Sequence, residues 1–211
     1  MEEGGGDSLE NIERRLNAWQ KLGCSTVLDI AEFHNQIGDS AYFENENTAK
    51  LQPTWNKLIR YMLAYEGHAT NIKNVRKFQV NRLGRFASQT CLLELMPLPS
   101  PKVSDWLYKD ISDLPELISR EVYTEKISPN RIMRLSSFIN QYQPRRVVFY
   151  SKSYARIWSK FVSDQAQWEN KQGMSFVEEN SIEYFILPHP VAPGVSNKFY
   201  EDCGSVRGMS D

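Results

Sequence analysis

His189 stands in a conformationally restricted stretch of the chain, Ile186-Leu-Pro-His-Pro-Val-Ala-Pro-Gly-Val-Ser-Asn197. Three prolines and a glycine follow an apolar, β-prone run there, so the stretch can extend neither a ladder nor a helix. The expected product is a stiff loop leaving the C-terminal end of a strand, with the imidazole held in a defined place. Loops at such strand ends are where α/β folds bind ligands. The plainer alternative is a strand-exit turn whose histidine caps a neighbour. Glu94 is the second loaded residue, a carboxylate inside the apolar run Thr90-Cys-Leu-Leu-Glu-Leu-Met96. A charge in such a run needs a specific reason: a buried arginine partner, exposure on an edge strand, or a site. Lys73, Arg76, Lys77, Arg82 and Arg85 make residues 68–88 the most basic part of the chain. That segment is either a solvated face or a surface that contacts phosphates.

The elements that must position these groups follow from composition and periodicity. At 211 residues, 41% hydrophobic and 24% charged, the chain is long enough for one well-buried domain and short for two. A net charge of −1 lowers the odds of tight, indiscriminate DNA binding but leaves room for a local basic face. Cys24, Cys91 and Cys203 are odd in number and widely spaced, which argues against a disulfide framework or a structural zinc. The acidic, glycine-rich start is unlike a signal peptide, and no apolar run approaches a membrane span. A cytoplasmic protein is expected, with residues 1–7 a loose tail and 8–211 a single domain.

Ser8 reads as an N-cap, with Leu9, Ile12, Leu16 and Trp19 at helical spacing and Gly23 as the stop. Residues 25–31 read as a short strand, followed by the polar stretch 32–40. Pro53 opens a helix that Gly67 ends. Residues 90–96 read as a second strand, 113–122 as a helix, and Pro129 as the start of another. Arg146-Val-Val-Phe-Tyr150 is a third strand and is followed by a helix from about Ser153; residues 173–177 form an edge strand and 182–187 a last one. This alternation implies an α/β fold: three αβα layers around a mainly parallel central sheet.

The order of these segments resembles the uracil-DNA glycosylase superfamily over roughly residues 25–205. Val27-Leu-Asp-Ile-Ala-Glu-Phe-His34 falls where that family has its first strand and water-activating loop, and Phe43 where it stacks a ring on the extruded base. Gln52-Pro-Thr-Trp55 resembles the proline-containing loop before the next helix. Cys91-Leu-Leu-Glu-Leu-Met96 resembles the strand whose polar residue reads the base edge. Val147-Val-Phe-Tyr-Ser-Lys-Ser-Tyr-Ala155 is similar to the strand and loop that grip a phosphate, and His189-Pro190 to the loop carrying the catalytic histidine and a minor-groove wedge.

The resemblance implies roles. His189 would donate a hydrogen bond to the base oxygen as negative charge develops there, worth roughly 3–4 kcal/mol in comparable sites. Glu32 would position water and stabilise the cationic sugar, with His34 or Asn35 as alternative polar groups. Phe43 would stack on a base flipped out at a cost of a few kcal/mol. Pro53, Lys152 and Ser153 would meet the DNA backbone, Pro193 or Val195 would fill the gap left by the base, and Asn197 would hold the wedge loop or a strand. No metal or cofactor is implied. The partner would be DNA, single-stranded DNA included, or a nucleotide.

Four places depart from the family, among them the wedge loop, which reads His189-Pro-Val-Ala-Pro193 where His-Pro-Ser-Pro is usual. The first loop lacks its usual glycine and proline, Lys152 stands for a glycine, and Glu94 stands where Asn is common. An Asn amide donates and accepts at once, whereas an ionised Glu only accepts and suits a base with an exocyclic amine. A buried, protonated Glu94 would mimic the amide. Two functions are therefore expected to compete, with hydrolysis of a free nucleoside or nucleotide as a weaker third. One is hydrolysis of a damaged or modified base from DNA, and the other is an inactive binder of nucleic acid, nucleotide or protein that keeps the fold.

Overall fold

The computed structural model describes residues 5–86, 88–102 and 104–206. The expected tail lies partly outside this range; within it, Gly6 is buried and donates its N–H to Asn11.

The centre is a mixed four-stranded sheet of β1 (Arg146–Tyr150), β2 (Glu169–Lys171), β3 (Met174–Glu179) and β4 (Ile182–Leu187), in the order β1-β4-β3-β2. Only β1 and β4 run parallel, with Tyr150 opposite Leu187; β3 pairs antiparallel with both β4 and β2. The fold is α/β, but the expectation of a mainly parallel sheet is corrected. The segment expected as an edge strand, now β3, is internal to the sheet.

Eight α-helices accompany it among the described residues: α1 (Leu9–Lys21), α2 (Ile30–Gln36), α3 (Pro53–Tyr65), α4 (Ile72–Asn81), α5 (Tyr108–Ile111), α6 (Arg120–Tyr142), α7 (Ala155–Trp158) and α8 (Asn197–Ser205). Period-two alternation in β4 divides the core between two faces. Ile182, Tyr184 and Ile186 pack with Tyr123 and Leu135 of α6 and with Trp158 and Phe161. Phe185 and Leu187 pack on the other face with Leu58 and Tyr61 of α3 and with Tyr200 and Cys203 of α8. At the α3–α8 crossing a Cβ on Gly204 would lie 2.2 Å from the Tyr61 carbonyl oxygen, so only glycine lets the two backbones meet.

Caps explain the helices that were legible. The Ser8 and Gln52 side chains accept from the Asn11 and Trp55 amides, and Pro53 occupies the first turn of α3, where its missing N–H costs nothing. Two expected strands do not form. The Asp29 carboxylate accepts from the Ala31 and Glu32 amides, so the expected strand over 25–31 becomes the cap and first turn of α2. Residues 90–96 keep a buried Leu95 and Met96 but make no ladder beyond an isolated bridge at Met96. Instead the Arg131 guanidinium of α6 donates to the carbonyls of Glu94 and Leu95, where a neighbouring strand would otherwise donate. Pro129 does not start a helix; it lies inside α6. Both Pro129 and Glu125, whose carbonyl loses its partner, are exposed, so solvent can satisfy the break.

Candidate functional site

The parallel pair β1–β4 delivers two chain ends side by side, and His189 leaves from one of them. Its ring lies 5.9 Å from that of Tyr150, the last residue of β1. The loop is held on several sides. The Tyr200 hydroxyl of α8 donates to the Pro188 carbonyl at 2.6 Å, and the Ala192 amide donates to the His189 carbonyl at 2.9 Å. The Lys57 ammonium of α3 donates to the Pro190 and Val195 carbonyls at 2.5 and 2.6 Å.

The imidazole itself has a defined tautomer. The Val191 amide donates to Nδ1 at 3.3 Å, which makes Nδ1 the acceptor and leaves the proton of a neutral ring on Nε2. Burial, reinforced by the Lys57 charge, holds the ring below the usual histidine value, so neutrality is favoured. The loop thus presents a fixed N–H donor.

Glu94 joins this end of the sheet. Its Oε2 is buried without a hydrogen-bond partner among the described residues. Burial raises its carboxyl above the ordinary range, against the smaller opposing pull of Arg131. The Arg131 hydrogen bonds go to the Glu94 and Leu95 carbonyls and not to the carboxylate, so its pull on Glu94 is the weaker effect. Tyr150 is pushed well above the usual phenol value, first by burial and then by the negative charge of an ionised Glu94. A protonated Glu94 is therefore the form that suits this environment.

The β1 exit carries backbone strain. Ser151 has φ of 88°, while its amide donates to the Leu187 carbonyl and its carbonyl accepts from the Trp158 indole. Such a conformation costs of order 1–3 kcal/mol in a residue with a side chain. The positive φ sits at Ser151, so Lys152, in the glycine position of the resemblance, escapes that strain. Lys152 and Ser153 are exposed, and the Ser153 hydroxyl lies 2.6 Å from that of Ser151. The helix expected from Ser153 is only a 3-10 turn over Lys152–Tyr154, the four-residue α7 and a second 3-10 turn over Ser159–Phe161. Its N-terminus is a correspondingly weak phosphate seat.

The first-loop residues occupy a different group. His34 of α2 is ringed by Phe33, Tyr42, Phe43 and Trp55, with centroids 5.2–6.0 Å away. Its Nδ1 is buried with no hydrogen-bond partner among the described residues. Glu32 and Asn35 are exposed on the same helix. No hydrogen bond, ion pair or ring contact joins this group to Glu94, Tyr150 or His189 among the described residues; the two share only α3, through Trp55 and Lys57. Pro53 is exposed at the start of that helix.

In the wedge loop Pro193 is exposed, whereas Val195 packs against the α3–α8 core. Asn197, at the end of the loop in sequence, is the exposed first residue of α8, whose N-cap is Ser196. Much of the basic segment is spent internally. Arg82 pairs with Glu66, Arg85 with Asp29, and Arg76 donates to the Ala49 and Asn47 carbonyls. Lys73 and Lys77 are left at the surface.

Tyr150, Arg131, Lys57 and Tyr200 were not singled out by sequence. Lys57 meets its acceptors across 133 and 138 residues, and Arg131 reaches back 36 and 37, so no local spacing reports them. Two open concavities lie elsewhere. One is lined by Ser163, Gln167, Phe176 and Glu183, the other by Gln172, Phe199, Cys203 and Val206. No family model, curated protein or solved structure matches the chain. Among the described residues no helix is long and apolar enough to cross a membrane.

His34 gives this region an acid-sensitive element. Burial, with the Arg15 charge adding to it, lowers the ring to about 4 from 6.5. Its contribution to stability is therefore present above pH about 6.5 and is lost as pH falls through about 4. The full loss amounts to about 3 kcal/mol. His34→Phe should flatten the acid limb of the thermal midpoint measured between pH 7 and pH 4; a limb as steep as that of the unaltered chain would contradict it.

Proposed function

We propose that this chain is a divergent, uracil-DNA glycosylase-like hydrolase, a three-layer αβα domain acting in the cytoplasm on a damaged or modified base in DNA. The observation that carries the reading is His189 beside Tyr150 at the C-terminal ends of the parallel strands, with the buried Glu94 near enough for its charge to act on Tyr150. Cleavage of an N-glycosidic bond places positive charge on the sugar and negative charge on the departing base. The His189 Nε2–H, fixed by the Val191 contact at Nδ1, is a donor suited to a base oxygen where that charge grows. A protonated Glu94 both donates and accepts, as the edge of a keto base requires. Pro193 offers an exposed apolar tip, whereas Phe43 packs with His34 and Trp55 in the separate first-loop group.

The test is incubation with single- and double-stranded oligonucleotides carrying deaminated, oxidised or alkylated bases, scored as alkali-labile sites. Scission at one or more of these bases is the expected outcome. An intact strand with every base in both forms would exclude the enzyme.

A second reading has its own support. Glu32, the carboxylate the resemblance assigns to water, is exposed on α2 and shares no bond or ion pair with His189 or Glu94. A domain that keeps the fold and binds DNA or a nucleotide without turnover accounts for that placement. It predicts saturable binding to the same oligonucleotides without strand scission.

A further inference from the structure

A lysine that gives two hydrogen bonds to one loop and none to a carboxylate calls for a reason. Ordering its side chain gives up much of its rotamer freedom. Lys57 is such a residue. It is half-buried in α3, its Nζ lies 2.5 Å from the Pro190 oxygen and 2.6 Å from the Val195 oxygen, and no carboxylate pairs with it among the described residues.

Those two carbonyls are the ends of the turn that follows His189. Between them the Val195 amide bonds to the Ala192 carbonyl and the Ala192 amide to the His189 carbonyl. Ahead of the histidine, Tyr200 fixes the Pro188 carbonyl. The imidazole is thus bracketed by an anchor from α8 on one side and an anchor from α3 on the other. Val191, whose amide sets the tautomer of the ring, lies between the two carbonyls that Lys57 holds.

We propose that Lys57 is a positioning residue for His189, clamping the 190–195 turn so that the imidazole keeps one orientation and one tautomer. The proposal rests on the reading of His189 as the group that meets the substrate. A single cation then serves two ends. It closes the turn through hydrogen bonds, and its charge opposes a second proton on the ring. Of the other titratable groups around the ring among the described residues, Tyr150 lies 5.9 Å away, Glu94 acts on Tyr150 through its charge, and Tyr200 bonds the Pro188 carbonyl. All three remain in the variants below.

The experiment compares Lys57→Met, Lys57→Gln and Lys57→Arg with the unaltered chain in two measurements. The first is base excision. Met and Gln should lower kcat about 100-fold, the loss typical of a misplaced reacting group, with KM little changed, and Arg should restore most of it. The second is an NMR titration of the His189 ring. Its midpoint should move upward in Met and Gln, with the Val191 amide signal displaced, and Arg should return both towards the unaltered chain. Unaltered kcat in Met and Gln overturns the proposal. A fall in kcat with an unmoved His189 titration and Val191 amide also overturns it, since Lys57 would then be merely structural. Should the unaltered chain excise nothing, the enzyme reading fails on its own. The titration still decides the clamp, which stands if the midpoint and amide move and falls if they do not.

Discussion

His189→Ala should reduce base excision by about 10²–10³-fold while leaving the fold intact, because the loss is that of one preorganised donor at a developing oxyanion. The ring is half-buried and contributes one contact to its own loop, so the thermal midpoint should change little. Binding to the same oligonucleotide should survive, since the donor acts most strongly once the base carries negative charge. His189→Gln is the sharper comparison. A glutamine supplies an N–H without a ring, and recovery of part of the rate would identify donation rather than proton transfer as the role. Excision by His189→Ala at the unaltered rate would remove the histidine from the chemistry and place catalysis on other groups.

Glu94 should give the second large effect, and it depends on pH. Burial favours the protonated carboxyl in the folded chain. The stability this confers is fully present below the ordinary carboxylate range and is lost as pH rises through the raised folded value. Glu94→Gln has nearly the same shape and cannot ionise. It should match the unaltered chain at low pH and become progressively more stable than it as pH rises. Activity should follow the same curve: excision by the unaltered chain declines as Glu94 ionises, excision by Glu94→Gln stays level, and Glu94→Ala loses about 10²-fold throughout. Parallel thermal midpoints and rates for Glu94 and Gln across pH would mean that the carboxyl does not titrate in the folded chain over that range. A preference of the unaltered protein for bases with an exocyclic amine would mean that it is already ionised.

The parts of the fold that were legible in sequence are those whose causes are local. Ser8 and Pro53 announce their helices within one turn, and the prolines around His189 announce a loop wherever the chain folds. The α8 helix carries a local signal as well: Ser196 as a cap, then Tyr200 and Cys203 at helical spacing. What failed was what depends on distant partners. The run at 90–96 has the composition of a strand, but Arg131 takes the place of a ladder. The strand expected at 25–31 lost to a carboxylate that caps a helix and pairs with Arg85. The direction of β3 was open as well, because period-two alternation is the same in parallel and antiparallel strands. For the candidate site, His189 and Glu94 were visible as residues out of keeping with their surroundings. Lys57, Tyr150 and Tyr200 were ordinary members of amphipathic elements until folding brought them to the loop.

The guanidinium that stands in for a strand gives the two sides of the site unequal lifetimes. His189 follows β4, whose backbone is laddered on both sides and whose side chains fill both faces of the core. Glu94 sits on a segment whose carbonyls are held by one side chain of α6. Amide exchange should therefore be faster at 91–95, where no ladder pairs the backbone, than in β4. The donor that would act on the base is hard-mounted, and the group that would read it is spring-mounted. In such a pair a new specificity is reached by remodelling the compliant side while the rigid one stays as it is.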